Sequence, residues 1–490
     1  TPVGPNRLAD ELPITDYPET TAQNISGSLM ADRNAIIDWF GRFLPVGFYY
    51  RAFYKPFGVW HWWERMIRKA AGLGVANLSA TPHYQDKQYL FCDVAVVGAG
   101  PAGLSAALKA AEGGASVLLI DEQPELGGAL TYHRFAVDNA PVRSEAETLI
   151  ANVASHPRIR VLTNALCNGW FTDHYLPVIQ GDRLFKVRAK SCVLATGSSE
   201  QHVVFRNNDL PGVVLCSALE RLLNHYALAP QGKLVVLAGN DQAWMTALTA
   251  VEAGLSVAAV VDLREAPDNT ALLAEANARG MTVHTGATVY TARRDAESQS
   301  LCGVDIYRID ARGEVGGLIA QTDCAVLAMS AGFMPAYQLA CQAGAKLDYD
   351  DDSAAFTLTG LPAGLLVAGS VNSMHSLAAV LADGRNAARA ALRYIDLAAD
   401  EDEPVICAAQ VNHPWPIFPH PKGREFVDFD EDLQIKDIVN ATRLGYRDVQ
   451  LVKRYSTVGM GPSQGRHAAL PTARLVAKAT ERSVSETGVT

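Results

Sequence analysis

The stretch Asp93–Leu104, DVAVVGAGPAGL, constrains this chain more than any other. A strand-like apolar run, Val94–Val97, meets Gly98-Ala99-Gly100-Pro101-Ala102-Gly103, and a helical pattern, LSAALKAAEGG, follows. Each glycine has a physical task. Gly98 permits the tight turn, Gly100 lets backbone approach a pyrophosphate, and Gly103 lets helix and strand pack closely. The helix start offers N–H groups and the positive end of its dipole to phosphates. A second strand, Ser116–Ile120, ends at Asp121-Glu122-Gln123, and Asp121 lies eighteen residues after Gly103. An acid there suits the ribose hydroxyls of an adenosine and disfavours a 2′-phosphate, which points to NAD or FAD rather than NADP. Gly127-Gly128-Ala129 comes next, a turn expected beside the ligand. A glycine fingerprint alone is weak; strand, turn, helix, strand and acid in that order make it specific.

Alternation of strand and helix patterns extends well beyond this motif. It implies parallel sheets with helices on both faces, an α/β class of the Rossmann-like two-dinucleotide flavoprotein type. The expected divisions are residues 1–89, an extended aromatic segment; 90–231 with 326–400, the dinucleotide-binding domain; 232–325, a second, degraded Rossmann-like domain; and 401–490, a helical C-terminal interface region. The second repeat, KLVVLAGND, has lost its glycines: Ala238-Gly239-Asn240-Asp241-Gln242-Ala243 stand in their place. Side chains then crowd the pyrophosphate approach, so a retained fold without a dinucleotide is expected. Two further strands end in turns, Val193–Gly197 with Thr196-Gly197 and Leu365–Ser370 with Gly369-Ser370. An FAD-dependent protein commonly has Gly-Asp at the second. Ser370 cannot supply the same charge-assisted hydrogen bond, which favours NAD.

Composition excludes several classes. With 490 residues the chain is long enough for two or three packed units, and its net charge of −10 argues against a nucleic-acid partner. No apolar run is long enough to span a bilayer, and the N-terminus lacks a signal-peptide pattern, so a cytoplasmic protein without a membrane partner is expected. The eight cysteines form no C-x-x-C pair. Reduced thiols and no metal centre are expected. The aromatic run FYYRAFYKPFGVWHWWERM, 48–66, lacks a sustained helical amphipathic pattern and is expected at contacts with partner domains or subunits rather than at a membrane.

The ordered set GAGPAG, DEQPELGG, ATG, degraded repeat and AGS resembles the α subunit of heterotetrameric sarcosine oxidase and related secondary-amine dehydrogenases, the N-methylglutamate type included. The segments PVGFYYRAFYKPF, Val427-Asp428-Phe429 and VKRYSTVGMGPSQGR (452–466) carry the same resemblance and are more specific than the glycines. The resemblance implies NAD in the first Rossmann site. It also implies a β subunit whose FAD oxidises an N-methyl amine, FMN at the α–β boundary, and further small subunits. Longer members carry a ferredoxin-like domain before this region and a folate-binding domain after it; this chain starts after the first and stops before the second. Lys453 and Arg454, ahead of the Gly459–Gly465 turn, are candidates for the FMN phosphate, with a solvated basic face as the alternative. Some relatives bind an iron–sulfur cluster through cysteines around that turn. Ser463 and His467 stand there instead, and no cluster is expected. No catalytic residue is assigned: His375, and Tyr132 with His133, read as structural or cofactor-contacting, without a visible base partner. The alternative functions are a stand-alone FAD/NAD-dependent reductase, which lacks its redox C-x-x-C and second glycine turn, and a non-catalytic nucleotide-binding scaffold.

Overall fold

The apolar runs Val94–Val97, Val117–Ile120 and Cys192–Leu194 are buried throughout, as strands covered on both faces by helices must be. A computed structural model describes residues 25–28, 31–43, 46, 53, 55–70, 86–267, 269–310, 312–406 and 411–490. Residues 1–84 and 85–490 form two compact units.

In the larger unit the first sheet has the order Ile159–Leu162, Val117–Ile120, Asp86–Val97, Arg183–Leu194, Tyr175–Gln180, Leu166–Cys167, with Leu365–Val367 also paired to Arg183–Leu194. The first four of these and Leu365–Val367 run parallel. Helices Pro101–Glu112 and Leu377–Tyr394 pack closely on one another. A Cβ on Gly384 would sit 2.3 Å from the Ala102 carbonyl oxygen, so only glycine permits that approach.

A second, wholly parallel sheet has the order Val213–Leu215, Val326–Ser330, Lys233–Ala238, Ser256–Asp262, Thr282–Thr285. Two of its strands lie outside the expected span 232–325. Val326–Ser330 pairs with Leu234–Ala238 rather than with the first sheet, because the buried run Leu234–Ala238 needs a parallel neighbour on each side. A three-stranded antiparallel sheet, Ala287–Arg294, Leu301–Ile309 and Val315–Asp323, fills the connection.

The proline-rich segment does not hang free. The Val204 N–H donates to Pro416 O at 2.9 Å and Phe418 N–H to Val204 O at 2.8 Å, and Ile417 and Phe418 are fully buried. It leads to strand Phe426–Asp428 and helices Ile435–Arg443, Val449–Ser456 and Ala469–Thr480.

In the smaller unit Trp60–Ala70 is a helix. Trp60, Trp63, Ile67 and Ala70 form one stripe, and His61, Glu64, Arg65, Arg68 and Lys69 the opposite one. This corrects the expectation of no amphipathic pattern: the 3.6-residue period begins only at Trp60 and is diluted when the whole run 48–66 is read together. Residues 48–52 and 54 of that run lie outside the described residues. Among the described residues no helix is long and apolar enough to cross a membrane, and seven cysteines are free thiols; Cys407 lies outside them.

Candidate functional site

Adjacent parallel strands end at the same edge of the first sheet, and that edge gathers the sequence motifs. Val97 is paired with both Ile120 and Leu194, and Leu194 with Val367. The residues that follow these strand ends are therefore neighbours: Gly98–Gly103, Asp121-Glu122-Gln123, Thr196-Gly197 and Gly369-Ser370. Gly127-Gly128 joins them, because Gly127 N–H donates to Ala99 O at 2.9 Å. A Cβ on Gly128 would lie 2.9 Å from the Gly100 Cα.

The three glycines of the turn divide as the sequence suggests. Gly98 has φ +104°, and a Cβ there would meet Ala195 O at 2.3 Å. At Gly103 a Cβ would be 1.8 Å from Gly98 O, so helix and turn touch through bare backbone. At Gly100 nothing lies within 4 Å of the Cβ position. No side chain caps the helix that follows. Open space over an uncapped helix N-terminus is where a phosphate can sit.

Asp121 is built into this turn: its carboxylate accepts from the Ala99 N–H, and from the Gln123 N–H at 2.7 Å. Glu122 and Gln123 are exposed. At the Gly369-Ser370 end a carboxylate is present after all, supplied by helix Leu377–Tyr394. Asp383 accepts from Gly369 N–H at 2.8 Å and from Asn372 Nδ2, and burial raises its pKa. Nothing local in the sequence marks Asp383 as the partner of the Gly369 N–H.

His133 also has a partner that the sequence hid. Its Nδ1 meets the fully buried Glu220 carboxylate, which also accepts from Thr246 Oγ1 at 3.1 Å. Gln242 Nε2 bridges to the Arg134 carbonyl, and Arg134 pairs with Glu252 at 2.5 Å. The segment after the Gly-Gly turn thus straps the first sheet's unit to helices Cys216–Asn224 and Asp241–Glu252 of the second.

The second strand–turn–helix is filled by its own side chains. Asn240 caps helix Asp241–Glu252 through the Ala243 N–H at 3.1 Å. Asp262, at the end of the adjacent strand, accepts from Trp244 Nε1 at 2.6 Å and pairs with Arg264 at 2.8 Å. Cap and acid are both taken.

The Gly459–Gly465 turn departs from the phosphate reading. Gly459 N–H donates to Asp428 Oδ2 at 2.7 Å and Ser463 N–H to Asp430 Oδ2 at 2.8 Å. Two carboxylates occupy donors that a phosphate requires and repel its charge. Lys453 lines a cavity of about 20 Å³ beside this turn with Val458 and Thr472, room for about one water. Arg454 is exposed.

Burial pushes the His375 imidazole down to about 4, so it is uncharged at neutral pH. The unfolded chain takes up this proton near pH 6.5 and the folded chain only near pH 4, so stability is full above about 6.5 and is lost as pH falls through that window. His375→Gln is expected to remove on the order of 2–3 kcal/mol of the stability lost between about pH 7 and about pH 4.5. Urea unfolding at the two pH values measures it, and an unchanged difference would refute it.

The comparisons agree with this geometry. Residues 92–354 match the family model described as pyridine nucleotide-disulphide oxidoreductase, and residues 422–490 match the sarcosine oxidase A3 domain. The chain is 33% identical to sarcosine oxidase subunit alpha of Rhizobium meliloti (strain 1021), over 99% of this chain and 50% of that protein. The chain belongs to the sarcosine oxidase alpha-subunit family. A second relative of that name, from Corynebacterium sp. (strain U-96), is 30% identical over 81% of this chain and 43% of its own length. The chain therefore spans about half the length of the curated relatives it matches. Among solved structures, L-proline dehydrogenase from P. horikoshii is similar in fold, with a TM-score of 0.64 and 22% identity, covering 84% of this chain and 79% of that one.

Proposed function

We propose that this chain is the nucleotide-binding alpha subunit of a multi-subunit flavin-dependent oxidase or dehydrogenase that oxidatively demethylates a secondary N-methyl amine such as sarcosine or N-methylglutamate. The observation that carries this reading is the 33% identity to a sarcosine oxidase alpha subunit along 99% of the chain. An adenine dinucleotide, NAD or FAD, is held over Gly98, Ala99, Gly100, Pro101, Ala102 and Gly103, against Gly128 and Ala129. Asp121, Glu122 and Gln123 face its adenosine end, and Thr196, Gly197, Gly369 and Ser370 its other end. The open Gly100 position and the uncapped helix fit a pyrophosphate.

A bound flavin supplies the two-electron acceptor for amine oxidation. This chain's own residues bind and orient, and the amine-oxidising FAD belongs to a partner beta subunit, in a complex placed in the cytoplasm. FMN at the subunit boundary finds no phosphate cradle at the Gly459–Gly465 turn, so its remaining contacts in this region are the side chains of Lys453 and Arg454. The stand-alone reductase reading loses support because Asn240, Asp262, Trp244 and Arg264 fill the second turn.

The isolated chain is expected to carry dinucleotide and to show no turnover of sarcosine or N-methylglutamate with an added electron acceptor. Activity should appear only with the co-purified partner. Turnover by this polypeptide alone would overturn the subunit reading. In the assembled complex, Lys453→Ala with Arg454→Ala is expected to weaken assembly. Normal assembly and FMN content in that variant would make the pair a solvated face.

A further inference from the structure

The segment Gly127–Arg134 is tied at its two ends to different sheets. At its start Gly127 N–H donates to Ala99 O, and a Cβ on Gly128 would lie 2.9 Å from the Gly100 Cα. Gly128 therefore stands against the open Gly100 position. A single 3₁₀ turn, Gly128–Thr131, follows. Thr131 Oγ1 donates to Gly128 O, and the Tyr132 and His133 N–H groups both donate to Ala129 O. So short a turn, bonded within itself, passes any displacement of Tyr132 or His133 on to Gly128.

At its end the segment is held by side chains from the second sheet's helices. In helix Cys216–Asn224, Arg221 donates to Tyr132 Oη at 2.9 Å and lies over that ring, 4.4 Å from its centroid. Asn224 Nδ2 donates to Tyr132 O at 2.7 Å, and the Glu220 carboxylate meets His133 Nδ1. In helix Asp241–Glu252, Gln242 Nε2 donates to Arg134 O at 3.3 Å and to Glu220 Oε1 at 3.3 Å. Glu252 pairs with Arg134 at 2.5 Å. Three consecutive residues, Tyr132–Arg134, thus meet five side chains of these two helices. Gln242 is one of the residues standing where the second repeat lost its glycines, so a side chain of the filled turn reaches the arm of the open one.

We propose that helices Cys216–Asn224 and Asp241–Glu252 clamp the first nucleotide site. They hold Tyr132–Arg134, and through them hold Gly128 beside Gly100, where the pyrophosphate lies. The second parallel sheet, whose own turn is filled, then serves the ligand of the first. Glu220, Arg221, Asn224, Gln242 and Glu252 are positioning residues that act through the arm. This inference rests on the dinucleotide reading of the Gly98–Gly103 turn given under the proposed function. By linkage, whatever loosens the clamp must weaken nucleotide binding, and bound nucleotide must tighten the clamp.

The test uses the full chain, stripped of nucleotide and titrated calorimetrically with NAD and, separately, with FAD. The variant combines Arg221→Ala with Asn224→Ala. Both side chains are exposed, so the Tm of the empty variant should match that of the parent. Its affinity for the nucleotide that the parent binds should fall about tenfold, the effect of two lost polar contacts. Tyr132→Phe should weaken binding in the parent but add nothing to Arg221→Ala, because the hydroxyl has already lost its partner. Gly100→Val separates the clamp from the site it serves. Parent-like affinity in the double variant, while Gly100→Val has lost its nucleotide, overturns the clamp alone. A weaker affinity accompanied by a lower Tm of the empty chain also overturns it and makes the two residues supports of the fold. Nucleotide retained by Gly100→Val, or neither nucleotide bound by the parent, removes the underlying site and the clamp with it.

Discussion

A Gly100→Val chain should fold as stably as its parent and carry almost no dinucleotide. Gly100 has φ −73° and ψ −175°, extended backbone that valine adopts without strain. No atom lies within 4 Å of the position its Cβ would take, so the empty chain loses little. The same two methyl groups fill the space over the helix N-terminus that a pyrophosphate needs. A loss of at least about 100-fold in affinity is expected, roughly 2.7 kcal/mol. It is read from the nucleotide released on denaturation and from calorimetric titration. Gly103→Ala is the contrasting control. Its Cβ would meet Gly98 O at 1.8 Å, backbone against backbone, and this change should cost about 3 kcal/mol or more in stability. Full nucleotide content in folded Gly100→Val would place the dinucleotide somewhere other than this turn.

The second large effect lies in the other parallel sheet. Asp262→Ala removes a fully buried carboxylate and leaves the Arg264 guanidinium and Trp244 Nε1 without their main acceptor. Breaking one side of a buried pair leaves an uncompensated charge and costs about 3–5 kcal/mol. The low end applies here, because Asp241 still pairs with Arg264 at 2.8 Å. Chemical denaturation should show this loss, while the nucleotide content of the folded fraction stays normal. A proportionate fall in nucleotide would mean that the Gly239-Asn240 turn holds a dinucleotide, against the reading of Asp262 as a structural anchor.

These expectations differ in how much of their basis lies along the chain. The roles of Gly98, Gly100 and Gly103 follow from local spacing, because a strand, a three-residue turn and a helix place each Cβ position almost without help from elsewhere. The filling of the second turn by side chains was also legible, since missing glycines announce side chains at that place. The identity of those side chains was not. Trp244 and Arg264 reach Asp262 only because strand Ser256–Asp262 lies beside strand Lys233–Ala238. The N–H groups of the Gly459–Gly465 turn were taken for a similar reason. A glycine turn exposes N–H groups to whatever approaches, and the approaching groups are Asp428 and Asp430, about thirty residues earlier.

By itself the sequence determined the parallel α/β architecture, the position and backbone geometry of the first glycine turn, and the family. Each of these is written in backbone requirements and periodicities that neighbouring residues enforce. The tertiary structure alone decided which strands belong to which sheet, that Asp383 serves the Gly369 turn, that Glu220 holds His133, and that Asp428, Asp430 and His467 meet. A polar side chain finds its partner by the packing of whole elements, and the apolar faces that drive packing carry no record of which buried acid will face which donor.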